Sequence, residues 1–440
     1  LQSHWLFSLD QTQAAFLFIE CFSEYRIECR SQDLCVSLMF IGLSIVSEPA
    51  RPSLVINAAV ASTVSTVLPG FLIGAMSVQV SAEMGVSEAV YGWGLGSFFG
   101  SAMLGSVLLG RLAQRIGPLN QMTLALTVSV LVQLALAAIA RSFVAVISFL
   151  VVAGLANAAN QTSVNLALAQ AQLPRLGLAV SIKQSGLPTA TLLAGFAVPG
   201  LALTVGWRWA YVGAALFALA ALGLVRSAVG SPRVQDAGTT AAATAAATGA
   251  ATAAAAPESS SQDLLAAAAV GACLAFSAGS LNAWGVGSGV DAGLGQGTAG
   301  LLLSVGAATG ITLRLVGGWL SDTMRILPFK VAGFTAAVGS VGMAALAVRS
   351  PGLHVAALLV SFGAGWIWPV FTNYGVVRTN PLAAGAATGV TQMGVYVGVF
   401  VSPLVTGWLI EHSGYPTMWL VVAGVTLTGA ALAIRTSNRF

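Results

Sequence analysis

The sequence predicts an all-α polytopic membrane protein, and three observations carry that prediction. Of 440 residues, 57% are hydrophobic and only 7% are charged, and the mean hydropathy is +0.87. Apolar stretches recur along nearly the whole chain at the length of about 20 residues that a helix needs to cross a hydrocarbon core roughly 30 Å thick. The Lys and Arg residues between those stretches fall mostly on one side of the membrane once the stretches are threaded back and forth. In lipid only helices and closed barrels satisfy every backbone group, so the apolar stretches are read as helices.

Twelve spans are expected, near residues 55–79, 88–110, 119–140, 143–167, 177–203, 207–228, 264–288, 299–320, 328–348, 353–376, 383–410 and 415–435. With the N-terminus in the cytoplasm, the loops holding Arg111, Arg115, Arg175, Arg226, Arg325 and Lys330 lie inside, and only Arg141, Arg208 and Arg349 lie outside. This bias places both termini in the cytoplasm of a plasma membrane, or of an inner membrane in a bacterium. Tyr91 with Trp93, Trp207 with Trp209, and Tyr415 with Trp419 form an interfacial belt at the outer helix ends.

Two segments stand apart from the helical body. Residues 1–53 hold Cys21, Cys29 and Cys35 and one 13-residue apolar run, "LCVSLMFIGLSIV", too short to span. They read as a cytoplasmic tail or as an extension outside the natural protein, and their Cys spacing matches no zinc or redox pattern. Residues 229–263, rich in Ala and Thr, read as a cytoplasmic linker, because a further crossing there would turn every later basic loop to the wrong side. The chain divides into six helices over 54–228 and six over 264–436.

An ungapped internal repeat supports that division. At a constant shift of 208 residues, Gly85 pairs with Gly293, Asn165 with Asn373, Gln184 with Gln392 and Gly206 with Gly414. After the second span comes "GRLAQRIGP", with Gly110, Arg115 and Gly117. The matching loop of the second half, "GWLSDTMR", holds Gly318 and Asp322, and "GWRWAY" occupies residues 206–211. With the topology, these motifs resemble the major facilitator superfamily over about residues 54–436. Gln114 stands where that family has Asp, and Pro118 where it usually has a basic residue. The resemblance implies two pseudosymmetric six-helix bundles that rock about a central site, with the first, fourth, seventh and tenth helices lining it. It also implies a cytoplasmic gate built on Gly110, Arg115, Gly117, Gly318 and Asp322, where Asp322 is expected to pair with Arg175.

Candidate substrate residues follow from polar groups inside the spans. Asn157, Gln161 and Asn165 recur every four residues on one face of the fourth helix. Asn282 and Trp284 lie on the seventh, Trp366 and Asn373 on the tenth, and Gln184 and Gln392 at repeat-related positions. Hydrogen bonding between helices is the competing reading of these residues. Lys183 and Arg314 are the two cations within spans, and a charge at a helix centre costs roughly 2.5–3.5 kcal/mol. Snorkelling of Lys183 to the interface would lower that cost. Arg314 precedes Gly318 by four residues, resembling the eighth helix of monocarboxylate and oxalate/formate carriers, whose Arg there meets the substrate carboxylate.

No carboxylate falls within a span interior, and His354 and His412 lie near outer helix ends, where they are read as interfacial. Catalytic elbows, zinc motifs and phosphate loops are absent from the sequence, so no enzyme, cofactor or metal is expected. The expected partners are a small-molecule substrate and the lipid bilayer, with no nucleic acid, and the expected state is monomeric. The function expected is transport of a small solute by alternating access, the solute being a small organic anion. Transport of a neutral or amphipathic compound and a transport-dead sensor of the same fold are the alternatives.

Overall fold

A computed structural model describes residues 52–170, 181–229, 258–323, 326–380 and 384–440. The described residues are helices joined by turns, with no strand among them. In the first half the helices are Pro52–Ala75 with Ser77–Met84, then Glu88–Ile116, Pro118–Ala138, Phe143–Gln170, Gly186–Ala197 and Trp207–Val229. A helical turn over 181–184 precedes Gly186, and a π-helical turn, Val198–Ala202, follows Ala197. The second half comprises Ser261–Asp291, Gln296–Thr323, Pro328–Ala345, the pair Pro351–Gly363 and Trp368–Thr379, and Ala384–Thr436.

Local chemistry sets several of these ends. Proline opens Pro118–Ala138, Pro328–Ala345 and Pro351–Gly363, where its missing N–H has no intrahelical partner to lose. Ser260 caps the seventh span by accepting from the Asp263 N–H at 3.1 Å, while its own hydroxyl donates to the Asp263 carboxylate at 2.7 Å.

Each of the twelve expected stretches overlaps described helix. Among the described residues nine helices are long and apolar enough to cross a membrane, or ten if the bent helix Glu88–Ile116 is one span. The last of the nine, Ala387–Thr436, has 50 residues, about 75 Å at 1.5 Å per residue and more than twice a bilayer core. It contains both final expected spans, joined at Gly414 with φ 76° and ψ 171°. The tenth expected span is not one helix: it breaks between Gly363 and Trp368, where Pro369 removes a backbone donor. Residues 1–51 and most of the 229–263 linker lie outside the described residues.

The repeat has a geometric counterpart. Gly85 and Gly293 have φ 62° and 95°, and Gly206 and Gly414 have φ 101° and 76°. These are two pairs at the 208-residue shift, in turns where only glycine carries a positive φ without strain. The same shift relates Glu83 to Asp291 and Arg141 to Arg349. In the second half Arg349 bridges Asp291 directly, at 3.0 and 3.2 Å. In the first, Glu83 is held by Arg208 and by the Trp207 indole N–H at 2.6 Å. The Arg208 guanidinium lies 4.4 Å from the Trp207 ring centroid and donates to the Ala140 carbonyl, which accounts for the "GWRWAY" stretch.

Burial alone would raise the Glu83 carboxyl, but hydrogen bonds from Arg208 and Trp207 and the charges of Arg208 and Arg141 hold it below its ordinary 4.5. A lowered folded-state value stabilises the fold above 4.5, and that stabilisation is lost as the pH falls through the folded value. The pair is half-exposed, so the effect stays under about 1 kcal/mol. Glu83→Gln should lower the unfolding temperature in detergent at pH 7, and its gap from wild type should close as the pH falls below 4.5. A gap constant with pH would show that the carboxylate charge adds nothing.

Candidate functional site

The site is built where two helices are interrupted and a third crosses both. On the fifth span, Pro188 lies four residues after Gln184 and has no N–H to return to the Gln184 carbonyl. On the tenth, Pro369 lies three residues after Trp366, and the Val370 N–H goes instead to the Ile367 carbonyl at 3.1 Å. Both Gln184 and Trp366 therefore carry backbone carbonyls that their own helices leave unpaired.

Arg314, from Gln296–Thr323, supplies the missing donors. Its Nε and Nη2 donate to the Trp366 carbonyl at 3.1 and 2.7 Å, and its Nη1 donates to the Gln184 carbonyl at 2.8 Å. The guanidinium carbon also sits 4.8 Å from the Trp366 ring centroid. Arg314 is 1% exposed. Gly318, one turn on, lets the same helix approach the fifth span so closely that an added Cβ would meet Ser181 Oγ at 2.5 Å.

Lys183 has the opposite character. It is 8% exposed, and among the described residues it forms no hydrogen bond or ion pair. Gly186, one turn along, packs on the Thr63 side chain of Pro52–Ala75. There Ser62, Thr63, Ser65 and Thr66 form a buried polar run.

Asn157 accepts long hydrogen bonds from Thr66 at 3.4 Å and from Gln161 at 3.5 Å. Asn160, Gln161 and Thr63 keep buried polar atoms with no partner. Buried polar groups are in their large majority paired, with protein or with ordered water. Asn165, two turns along the Asn157 face, is exposed.

Asn282 and Trp284 are committed to packing between helices. The Asn282 side chain accepts from Thr191 at 2.6 Å and donates to the Ala278 carbonyl at 2.8 Å, joining the fifth and seventh spans. Trp284 donates to Thr406 at 2.8 Å and packs on Tyr91 at 6.0 Å. Asn373 and Gln392 are half-buried with no side-chain hydrogen bond among the described residues. Trp366 joins an aromatic chain through Phe71 at 6.5 Å and Phe362 at 5.6 Å. His354 is fully buried, where Pro351–Gly363 brings it close to Gly289.

Of the gate residues, Gly110 is half-buried, Arg115 is exposed, and Gly117 has φ 86° between two helices. Arg175 and the Asp322 side chain lie outside the described residues, as does the pairing expected between them.

Between Glu88–Ile116 and Ala384–Thr436 the halves meet tightly at one end, while the fifth and eighth spans also approach closely at Ser181 and Gly318. Gln79 donates to Gln296 at 3.0 Å, and Glu411 accepts from the Ala89 N–H at 3.1 Å. Gly92, Gly96 and Gly100 bring Glu88–Ile116 against Pro403, Leu404 and Phe400. The same stripe continues toward Arg111 and Arg115 as Leu104, 75% exposed, and Leu108, 68% exposed. On the facing helix Val397 and Met393 are exposed too. Along this helix pair the seam is therefore tight near residue 88 and parts toward residue 111, and Asn165 lies toward the parted end.

A family model described as Major Facilitator Superfamily matches residues 54–403. No curated protein matches the chain.

The glycine seam sets a test. A Cβ at Gly92 would collide with the Pro403 carbonyl, so Gly92→Ala must push the two helices apart. Overpacking of this kind costs about 1–3 kcal/mol. The variant should unfold at lower temperature, and a cysteine placed at Gln79 should label faster in it. Unchanged stability and labelling would show that the closed end is not held by this contact.

Proposed function

The chain belongs to the major facilitator superfamily and is a multi-pass membrane transporter; on that premise we propose that its solute is a small organic anion, moved by alternating access. Residues 54–228 and 264–436 are the two moving bundles, with both termini in the cytoplasm and the open end of the seam facing it. The paired positive-φ glycines at a 208-residue shift support the two-bundle division. The side holding Arg111 and Arg115 supports the orientation.

The observation that carries the substrate class is Lys183, a buried cation without a partner among the described residues. Leaving it so is costly, and a substrate carboxylate is the simplest group to offset that cost, through a charge-assisted hydrogen bond. Thr63 supplies a polar group on the helix that packs against Gly186, and Asn157 and Gln161 supply buried polar groups on the fourth helix. A neutral or amphipathic solute is the second reading, favoured by the aromatic chain Phe71–Trp366–Phe362.

Uptake of short mono- and dicarboxylates into proteoliposomes separates the two readings. Lys183→Gln, at equal membrane level, should lower carboxylate uptake about tenfold to hundredfold, the equivalent of a charge-assisted hydrogen bond of about 1.5–3 kcal/mol. Lys183→Arg should keep part of it. Undiminished uptake in Lys183→Gln, or flux of uncharged solutes alone, would set the anion reading aside.

A further inference from the structure

Arg314 is the other cation inside the spans, and its surroundings give it a different task from Lys183. An arginine has five N–H donors, and here three are spent on two backbone carbonyls. The Trp366 indole lies against its face, and at 1% exposure no open path leads a solute to the remaining two. The two carbonyls are those orphaned by Pro188 and by the break before Pro369, one in each half of the chain. A bidentate, planar donor fork suits such a junction, whereas an ammonium offers one nitrogen.

We infer that Arg314 is a positioning residue that ties the two interrupted helices together across the halves and leaves the reading of substrate charge to Lys183. This rests on the organic-anion reading for the role of Lys183, and on hydrogen-bond geometry alone for the tie. Gln184 is the residue after Lys183, so the Arg314 bond fixes the backbone that carries the Lys183 side chain. Trp366 is fixed by the same guanidinium through its carbonyl and its ring. Lys183 is then the one buried cation left uncommitted among the described residues, and the site offers a single positive charge to its solute.

Two measurements test the assignment. The first is charge selectivity in proteoliposomes, as the uptake of lactate, pyruvate and succinate relative to their uncharged amides. Arg314→Gln should lose about tenfold or more in maximum rate while keeping the wild-type carboxylate-to-amide ratio, and Arg314→Lys should not restore the rate. Lys183→Gln should bring the ratio to about 1. If Lys183→Gln keeps the ratio, or Arg314→Gln abolishes it, Arg314 meets the carboxylate and the inference fails.

The second is oxidative cross-linking of Ser181→Cys with Gly318→Cys, whose side chains adjoin where the fifth and eighth spans meet. The disulfide-linked peptide, quantified by mass spectrometry in membranes, should form several-fold more slowly when Arg314→Gln is added. Equal rates would overturn the tie. If no carboxylate is transported by the wild type, the anion reading falls, and the cross-linking rate alone decides for or against the Arg314 tie. If Arg314→Gln does not reach the membrane, Arg314→Lys is read in its place: a wild-type ratio at reduced rate upholds the assignment and a lost ratio overturns it.

Discussion

The backbone carbonyls freed where a helix breaks inside a membrane are the constraint on which this structure turns. In hydrocarbon no water is at hand to pair them, and an unpaired group there costs several kcal/mol. Breaks survive only where protein supplies donors. Here Pro188 removes a donor from the fifth span and the tenth breaks between Gly363 and Trp368, and one guanidinium serves both freed carbonyls. Because the two breaks belong to different halves, the same hydrogen bonds that make the breaks tolerable also join the halves. Elsewhere in the first half Lys183 and polar atoms of Thr63, Asn160 and Gln161 have no partner among the described residues.

The ends of the molecule divide the labour. At the end near residue 88, glycines let helices touch through their backbones, and Glu411 and Gln296 add polar contacts across the halves. At the other end the contact is replaced by exposed leucines, Val397 and Met393. Dispersion between closely packed surfaces is the main attraction between helices in lipid, so a seam lined by small residues at one end and large ones at the other favours opening at the latter.

The helical membrane class, the positions of the apolar segments and the identity of the two intramembrane cations were legible in the sequence, because hydropathy over 20 residues is a strong signal and charges within it are rare. The half-repeat was legible as well, although Glu83 with Asp291 and Arg141 with Arg349 belong to it and escape notice until Arg349 is seen to bridge Asp291. The sorting of polar residues was not legible. Asn157 and Asn282 look alike in sequence, yet Asn282 has both ends of its amide committed at short range, one to Thr191 on another helix and one to Ala278 on its own, while Asn157 has only long contacts. Periodicity places a residue on a face but does not say whether that face meets solvent or another helix. Arg314 read equally well as a substrate ligand, and what separates the readings is a local signal that hydropathy ignores, namely Pro188 four residues after Gln184 and Pro369 three after Trp366.

The most direct measurement of the central claim, that an anion held near Lys183 draws the open end of the seam together, is a distance across that end in lipid. Spin labels at Leu108 and Met393, both exposed on facing helices, report it by double electron–electron resonance. Adding a transported carboxylate should shift the distribution to shorter distances, and the shift should vanish in Lys183→Gln. A distribution that ignores the carboxylate while an uncharged solute shortens it would contradict the account.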